Sequence, residues 1–381
     1  MNIDYVVLPA FILLFGILVI WLSVRRFRSL STKSYRMWRK VSERIVLSII
    51  VLLVAAVAGS SSFNAIANYY FWAKNPPPGT FYTVNGHKMR MYCMGSGSPT
   101  IILETGLGND ALIWGGVQPV LAKTTRVCSY DRAGLGWSES VSGPRDADHI
   151  ASELHGLLLE AKITGPIVLM GHSLGGMIIR DYATRYPADI AGLVFVDSAS
   201  PLQIQNPVLE AANAHGPPIW AILLIYRSEW VLGVPRLVGA CSQPVQGFEA
   251  HAAKLEAEAH CDPPVWTAIR EENAVTQSGL EAAHAGPFGA LPILIFSHDP
   301  AKYLPKQNPP KLYVDVQNEL SRLQEDLKNL STRSRRIIAR DSGHVVQLDR
   351  PDLLEKEVPL FIEQIRGTAP PPTNYGTTIT E

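Results

Sequence analysis

The sequence predicts an α/β fold with a mostly parallel sheet, preceded by two membrane-spanning helices. Three observations predict it. Strand-like and helix-like segments alternate from about Thr80 to Arg366. The apolar run "PIVLM" (Pro166 to Met170) enters Gly-His-Ser-Leu-Gly and resumes as the helix-like "GGMIIRDYATRYP". Two long uncharged segments stand at the front of the chain.

Those two segments are Val6 to Val24 and Ile45 to Ala73. A spanning helix needs about 20 mostly apolar residues, and neither segment carries the polar stripe of a surface helix. The linker between them holds Arg25, Arg26, Arg28, Lys33, Arg36, Arg39, Lys40 and Arg44 against the single acid Glu43. Basic loops stay in the cytoplasm, so both chain ends are expected outside, with "NYYFW" (Asn68 to Trp72) as the aromatic belt. From Met37 onward the chain also has the layout of a signal peptide, and that reading exports the same domain. Residues 1–73 are thus expected to form a membrane anchor.

"KNPPPG" (Lys74 to Gly79) is a stiff spacer. The globular domain is expected at 80–366, and the tail at 367–381 is expected to be disordered. "FYTV", Asn85-Gly86 and "KMRMYCM" form a hairpin pattern. "TIILETG", "RVCSYD", "PIVLM", "AGLVFVD", "LPILIFS" and "RRIIAR" follow as short buried strands. "DHIASELHGLLLEAK" spaces Ile150, Leu154, Leu157 and Leu158 as one helical face. Strands alternating with helices give a parallel sheet. The interval at about 201–288 breaks the rhythm and is expected to be a helical cap over the carboxyl ends of the strands, where ligands bind in such folds.

Composition excludes some functions. The 381 residues have a formal net charge of zero, which gives no basic bias toward nucleic acid. No Cys-x-x-Cys pair and no zinc-ligand spacing occurs, so neither metal nor cofactor is expected. Gly134-Leu135-Gly136 in "YDRAGLGWS" lacks the third glycine and helix of a phosphate loop. It is expected to be a structural turn tied down by Asp131 and Arg132.

Serine is a poor nucleophile until a base takes its proton. Gly-x-Ser-x-Gly between a strand and a helix projects the serine above the sheet, and the glycines allow the backbone to crowd there. Ser173 is therefore the candidate nucleophile. His344, in the glycine-containing loop after "RRIIAR", is the candidate base, since the base comes last in chain order in this architecture. His172 neighbours the serine but is expected to point elsewhere. Two acids end suitable strands and could orient the histidine: Asp197 after "GLVFV", and Asp299 after "ILIFSH". Two backbone amides must bind the oxyanion. The candidates are Leu174, directly after the nucleophile, and Leu107 in "TGLGND".

"LETGLGND", "SYDRAGLGWS", "GHSLGG", "LVFVDS" and "SGHVVQLDRP", in this order, resemble the α/β-hydrolase superfamily. The resemblance runs from about Phe81 to Ile365 and implies a sheet of eight strands, a helical cap and a triad of Ser173, Asp299 and His344. The acid more commonly ends the later strand in that fold, which favours Asp299, with Asp197 as the alternative. Two stretches depart from the family pattern: Thr105-Gly106 replaces the usual His-Gly, and the turn before the later acid is shortened to Ser297-His298-Asp299.

The expected function is a membrane-anchored, extracytoplasmic serine hydrolase that cleaves carboxylic esters with hydrophobic acyl groups. The alternatives are acyl transfer on the same triad and a non-catalytic ligand-binding receptor. The apolar "PPIWAILLIYRSEWVLGVPRLVG" (Pro217 to Gly239) in the insertion favours hydrophobic or lipid-like substrates. Cys93, Cys128, Cys241 and Cys261 all follow the second apolar run, and an even number in an exported domain suggests disulfides. Cys241 and Cys261 share the insertion and are expected to pair. In the fold that the chain resembles, the strands bearing Cys93 and Cys128 are neighbours, which implies a second bridge.

Overall fold

A computed structural model of the chain describes residues 4–141, 143–204, 206–213, 231–243, 250–259, 272 and 275–381. It divides into two compact units. One is Met1–Pro77 with the insertion segments Ile219–Gln243 and Ala257–Trp266; the other is Pro78–Pro218, Pro244–Glu256 and Thr267–Glu381.

In the first unit, helix α1 spans Asp4–Thr32 and helix α2 spans Met37–Lys74. They pack as a hairpin, and a Cβ added to Gly16 would lie 3.2 Å from the Ala58 Cβ. Beside the basic turn, Arg26 Nε donates to Glu43 Oε1 at 2.5 Å. The lower part of α2 turns apolar residues such as Leu52 and Leu53 outward. Its last third behaves differently, because Ser61, Asn64 and Asn68 are buried. Arg236, in the short insertion helix Val234–Leu237, donates from Nε to Asn64 Oδ1 at 2.8 Å and also bonds Asn68 and Glu258. The Ser60 hydroxyl donates to the Leu232 carbonyl. Gly233 has φ +71°, and a Cβ there would come within 2.7 Å of the Asn64 Cβ. Part of the insertion thus belongs to the same unit as the two helices.

The second unit is built on a sheet of nine strands, not the eight implied by the resemblance. They are β1 (Thr80–Val84), β2 (His87–Met94), β3 (Thr100–Glu104), β4 (Val127–Tyr130), β5 (Ile167–His172), β6 (Ile190–Val196), β7 (Ile293–Ser297), β8 (Ser334–Ile338) and β9 (Thr378–Thr380). The order is β1-β2-β4-β3-β5-β6-β7-β8-β9. Only β1–β2 and β2–β4 are antiparallel. Asn85 and Gly86 both take positive φ in the β1–β2 turn, as a two-residue hairpin requires.

The ninth strand corrects the expected disorder of 367–381. Arg336, Ile337 and Ile338 pair with Thr378, Ile379 and Thr380 in a parallel ladder. Arg340 N donates to the Glu381 carbonyl at 2.7 Å, so the tail covers an otherwise open sheet edge.

Alternation along the strands separates two cores. Ile102, Leu169, Leu193, Phe195 and Ile295 pack on one face with the helices Ala147–Glu160 and Gly175–Arg185. Ile101, Leu103, Val168, Met170, Val194 and Phe296 pack on the other with Trp114 and the helix Pro351–Arg366. The helix Ala147–Glu160 is capped by Asp146, whose side chain accepts from His149 N, and buries the expected Ile150, Leu154, Leu157 and Leu158. Burying each such side chain contributes about 1.5–3 kcal/mol.

Cys93 and Cys128 are bonded to each other, and they face one another across β2 and β4. Cys241 is also in a disulfide; Cys261, its expected partner, lies outside the described residues. The Cys93–Cys128 loop spans 35 residues, for which chain entropy gives a stabilisation of up to about 4 kcal/mol. Replacing both cysteines with serine should therefore lower the urea midpoint of the unreduced protein. An unchanged midpoint would remove the bridge from the account of stability.

Candidate active site

The carboxyl ends of β5, β6 and β8 bring three side chains together. β5 runs into the turn at Ser173, and the helix Gly175–Arg185 begins two residues later. Ser173 holds φ +51°, a conformation costly for a residue with a Cβ. The turn closes because its glycines are bare: a Cβ on Gly171 would sit 2.6 Å from the Gly175 carbonyl oxygen. Ser173 N donates to the Val196 carbonyl at 3.2 Å, which ties the turn to the end of β6.

His344 Nε2 lies 3.0 Å from Ser173 Oγ, and its Nδ1 lies 2.6 Å from Asp197 Oδ2. Several hydrogen bonds hold the loop that carries His344. Gly343 N donates to Asp349 Oδ2 at 2.6 Å, and His344 N donates to the Tyr303 hydroxyl at 2.6 Å. His172 Nε2 meets the His344 carbonyl oxygen at 3.1 Å. His172, the neighbour of the serine, thus supports the histidine loop. Burial first, and the neighbouring His344 second, push its pKa down to about 3.

The expectation for Asp299 is corrected. Its Oδ1 accepts from Ala301 N at 2.9 Å and its Oδ2 from Asp341 N at 3.1 Å, so it caps a turn. The carboxylate on His344 is that of Asp197, the alternative. Asp197 sits directly after β6 with φ +41°, which turns its side chain toward the histidine loop. It also accepts from the backbone N of His298 at 3.0 Å and contacts His298 Nδ1 at 2.7 Å. Burial would raise its pKa, but the hydrogen bonds from His298 and His344 outweigh burial and hold it well below the usual carboxylate range.

The loop after β3 lies close to the serine. A Cβ on Gly106 would stand 3.1 Å from Ser173 Cβ and 2.9 Å from His172 Nδ1, so only glycine fits. Leu107 and Leu174, which supply the candidate oxyanion amides, pack into one small cluster. A buried ion network fixes this loop. Arg132 donates to the Thr105 carbonyl at 2.8 Å, the Gly106 carbonyl at 2.6 Å and Glu104 Oε1 at 2.7 Å. Glu272, from the insertion, takes two bonds from Arg132 at 2.7 Å each and accepts from Gly108 N at 3.1 Å. Burial works against the Arg132 charge, but Glu272 and Glu104 overcome it and raise its pKa. Asp131 and Arg132 do tie down a loop, as expected, and Arg132 reaches beyond its own turn to the one that bears Leu107.

Sequence reasoning missed His298 and Glu272. The shortened turn Ser297-His298-Asp299 was the available signal for the first. Nothing local to Glu272 marks it, since its partners lie more than a hundred residues away in the chain.

Comparison with known proteins agrees with the fold. An uncharacterised protein of Schizosaccharomyces pombe is 27% identical over 235 residues, covering 53% of this chain and 42% of its own length. YbdG of Bacillus subtilis is 28% identical over 165 residues, covering 42% of this chain and 51% of its own. The chain thus spans about half, or less, of these relatives' length. Among solved structures, a putative lipase of Acinetobacter baumannii superposes with a TM-score of 0.55 at 18% identity, over 80% of this chain and 97% of that one. The epoxide hydrolase CorEH gives 0.54 at 16%, over 75% and 98%. At these identities the likeness is one of fold. The sequence model described as "Alpha/beta hydrolase family" matches residues 101–357, well over half of the chain, and the protein belongs to that family.

Proposed function

We propose that this protein is a serine hydrolase of carboxylic esters, anchored by α1 and α2 with its catalytic unit outside the cytoplasm. One observation carries the chemistry: a single line of contacts from Ser173 Oγ through His344 to Asp197, at 3.0 Å and 2.6 Å. His344 takes the proton of Ser173 as Oγ attacks the acyl carbonyl. The amides of Leu107 and Leu174 stabilise the oxyanion. His344 returns the proton to the leaving alcohol, and water then releases the acyl group by the same route. Asp197 holds the imidazole in its tautomer and balances the imidazolium.

The preference for hydrophobic acyl groups rests on the apolar insertion sequence Pro217 to Gly239. A panel of p-nitrophenyl esters of graded chain length tests it. Activity should rise from acetate toward medium or long chains, and a maximum at acetate would defeat the hydrophobic reading.

Three observations support the location. Both N-terminal helices are long and apolar enough to span a bilayer. The 38 residues of α2 make a rod of about 57 Å, against about 30 Å of hydrocarbon. A span that starts at Ile45 therefore ends near Asn64, within the buried polar stripe of Ser61, Asn64 and Asn68. The disulfides fit an oxidising compartment. In intact cells that make the full chain, added protease should cut the catalytic unit and spare the Arg25–Arg44 loop. Cleavage in that loop with an intact catalytic unit would reverse the orientation.

A further inference from the structure

Asp197 serves two imidazoles. His298 is buried, with its Nδ1 2.7 Å from Asp197 Oδ1 and 2.9 Å from Oδ2. His344 Nδ1 meets the same carboxylate, at Oδ2, at 2.6 Å. The second nitrogen of His298 also faces an acceptor, as its Nε2 is 3.0 Å from Gln317 Oε1. A neutral imidazole has one N–H to give, whereas an imidazolium has two. With a carboxylate at one nitrogen and Gln317 Oε1 at the other, the charged form can donate at both.

We propose that His298 is a positioning residue held as an imidazolium, which divides the charge of Asp197 between two rings and so sets the pH at which Ser173 becomes nucleophilic. The inference rests on the triad reading of Ser173, His344 and Asp197.

The surroundings can be enumerated. Asp197 arrives from the end of β6, and Gln317 from the helix Lys311–Asp326. The Tyr303 ring stands edge-on at 5.5 Å. His344 lies across the shared carboxylate. Arg336 on β8 opposes a second positive charge, but it is itself bonded to Ser297 Oγ at 3.0 Å and to Glu325 Oε2 at 3.1 Å. Burial and Arg336 disfavour a charge on His298; the bonds to Asp197 and Gln317 favour it and prevail, so its pKa is raised.

The consequence concerns the carboxylate. The imidazolium that forms on His344 during attack is stabilised by Asp197. When His298 already draws on that charge, less of it remains for His344. His298→Asn replaces the ring with a neutral donor. Gln317→Leu leaves the ring but takes away the acceptor at Nε2. Both changes return charge to Asp197 and should move the midpoint for activation of Ser173 upward. His298→Ala also removes the side chain that fixes the carboxylate, so the rate on the high-pH plateau should fall as well.

The rate at which a fluorophosphonate labels Ser173, measured from pH 4 to 9 on the full chain, reads this without a known substrate. The expected result is a midpoint higher by about one pH unit in His298→Asn, a tenfold loss of free base on the acid side. Gln317→Leu should shift the same way by less, and the plateau for His298→Ala should be lower than that of the unaltered chain. Thermal melting of each variant separates folding from function, because a purely structural role lowers the melting temperature and leaves the midpoint in place. Unmoved midpoints in both His298→Asn and Gln317→Leu, with labelling still dependent on Asp197, would overturn this inference and leave the triad standing. Failure of the unaltered chain to label at Ser173 at any pH would overturn both.

Discussion

Ser173→Ala is expected to lower kcat by about a millionfold, the loss seen when the nucleophile of a serine hydrolase acts as one unit with its base. The prediction follows from the 3.0 Å contact between Ser173 Oγ and His344 Nε2. Asp197→Asn should cost about 10⁴ in rate, because the amide holds the wrong tautomer of His344. Asp299→Asn should cost far less, since the Asp299 carboxylate bonds the Ala301 and Asp341 amides and not His344. Ester hydrolysis by the three purified variants, each checked for folding by circular dichroism, measures this. Substantial turnover in Ser173→Ala would remove the nucleophile, and a larger loss in Asp299→Asn than in Asp197→Asn would reinstate the later acid.

The second large effect is expected at Arg132. Its guanidinium is buried and satisfies Glu104, Glu272 and the carbonyls of Thr105 and Gly106. Arg132→Met would leave two buried carboxylates without their cation, and removing one partner of a buried pair costs about 3–5 kcal/mol. Glu272→Gln keeps the shape but gives up the charge-assisted bonds to Arg132 and Gly108. The loop that presents the Leu107 amide would then be less firmly placed. The loss in labelling rate should approach the roughly 10²-fold effect of removing one oxyanion donor. Urea unfolding and labelling kinetics, run side by side, give both numbers. An Arg132→Met chain as stable as the original, or a Glu272→Gln chain that labels at the original rate, would show that this network does not hold the loop.

Much of the site was legible because it is local. The turn at Ser173 is written in consecutive residues, a strand, two glycines and a helix, and each is needed for φ +51° at the serine. His344 was legible from chain order and a glycine-containing loop. The acid was harder. Strands β6 and β7 are parallel neighbours with Val196 opposite Phe296, so both acids follow the same edge of the sheet, Asp197 directly and Asp299 two residues further along. Sequence names both carboxylates but not which turns inward. In the structure Asp197, at positive φ, meets His344, while Asp299 bonds the Ala301 and Asp341 amides. The Arg132–Glu272 pair joins residues far apart in the chain and leaves no periodic or spacing signal.

The fold divides in the same way. Eight strands follow from apolar runs bounded by turn residues. The ninth, Thr378–Thr380, is three residues long after a proline-rich stretch, and only the open edge of β8 makes it a strand. The polar residues on α2 were swallowed by an uncharged run, since Ser60, Ser61, Asn64 and Asn68 carry no charge. Their role depends on Arg236, which reaches them from the insertion.

The account stands on Ser173 as a nucleophile activated by His344 and Asp197, and covalent trapping tests that most directly. The full chain, purified in detergent, is treated with a fluorophosphonate, and the adduct is mapped by peptide mass spectrometry. The account predicts one adduct, on Ser173, that is lost in His344→Ala, strongly slowed in Asp197→Asn and retained in Asp299→Asn. No adduct on Ser173, or an adduct that Asp197→Asn leaves untouched and Asp299→Asn abolishes, would contradict it.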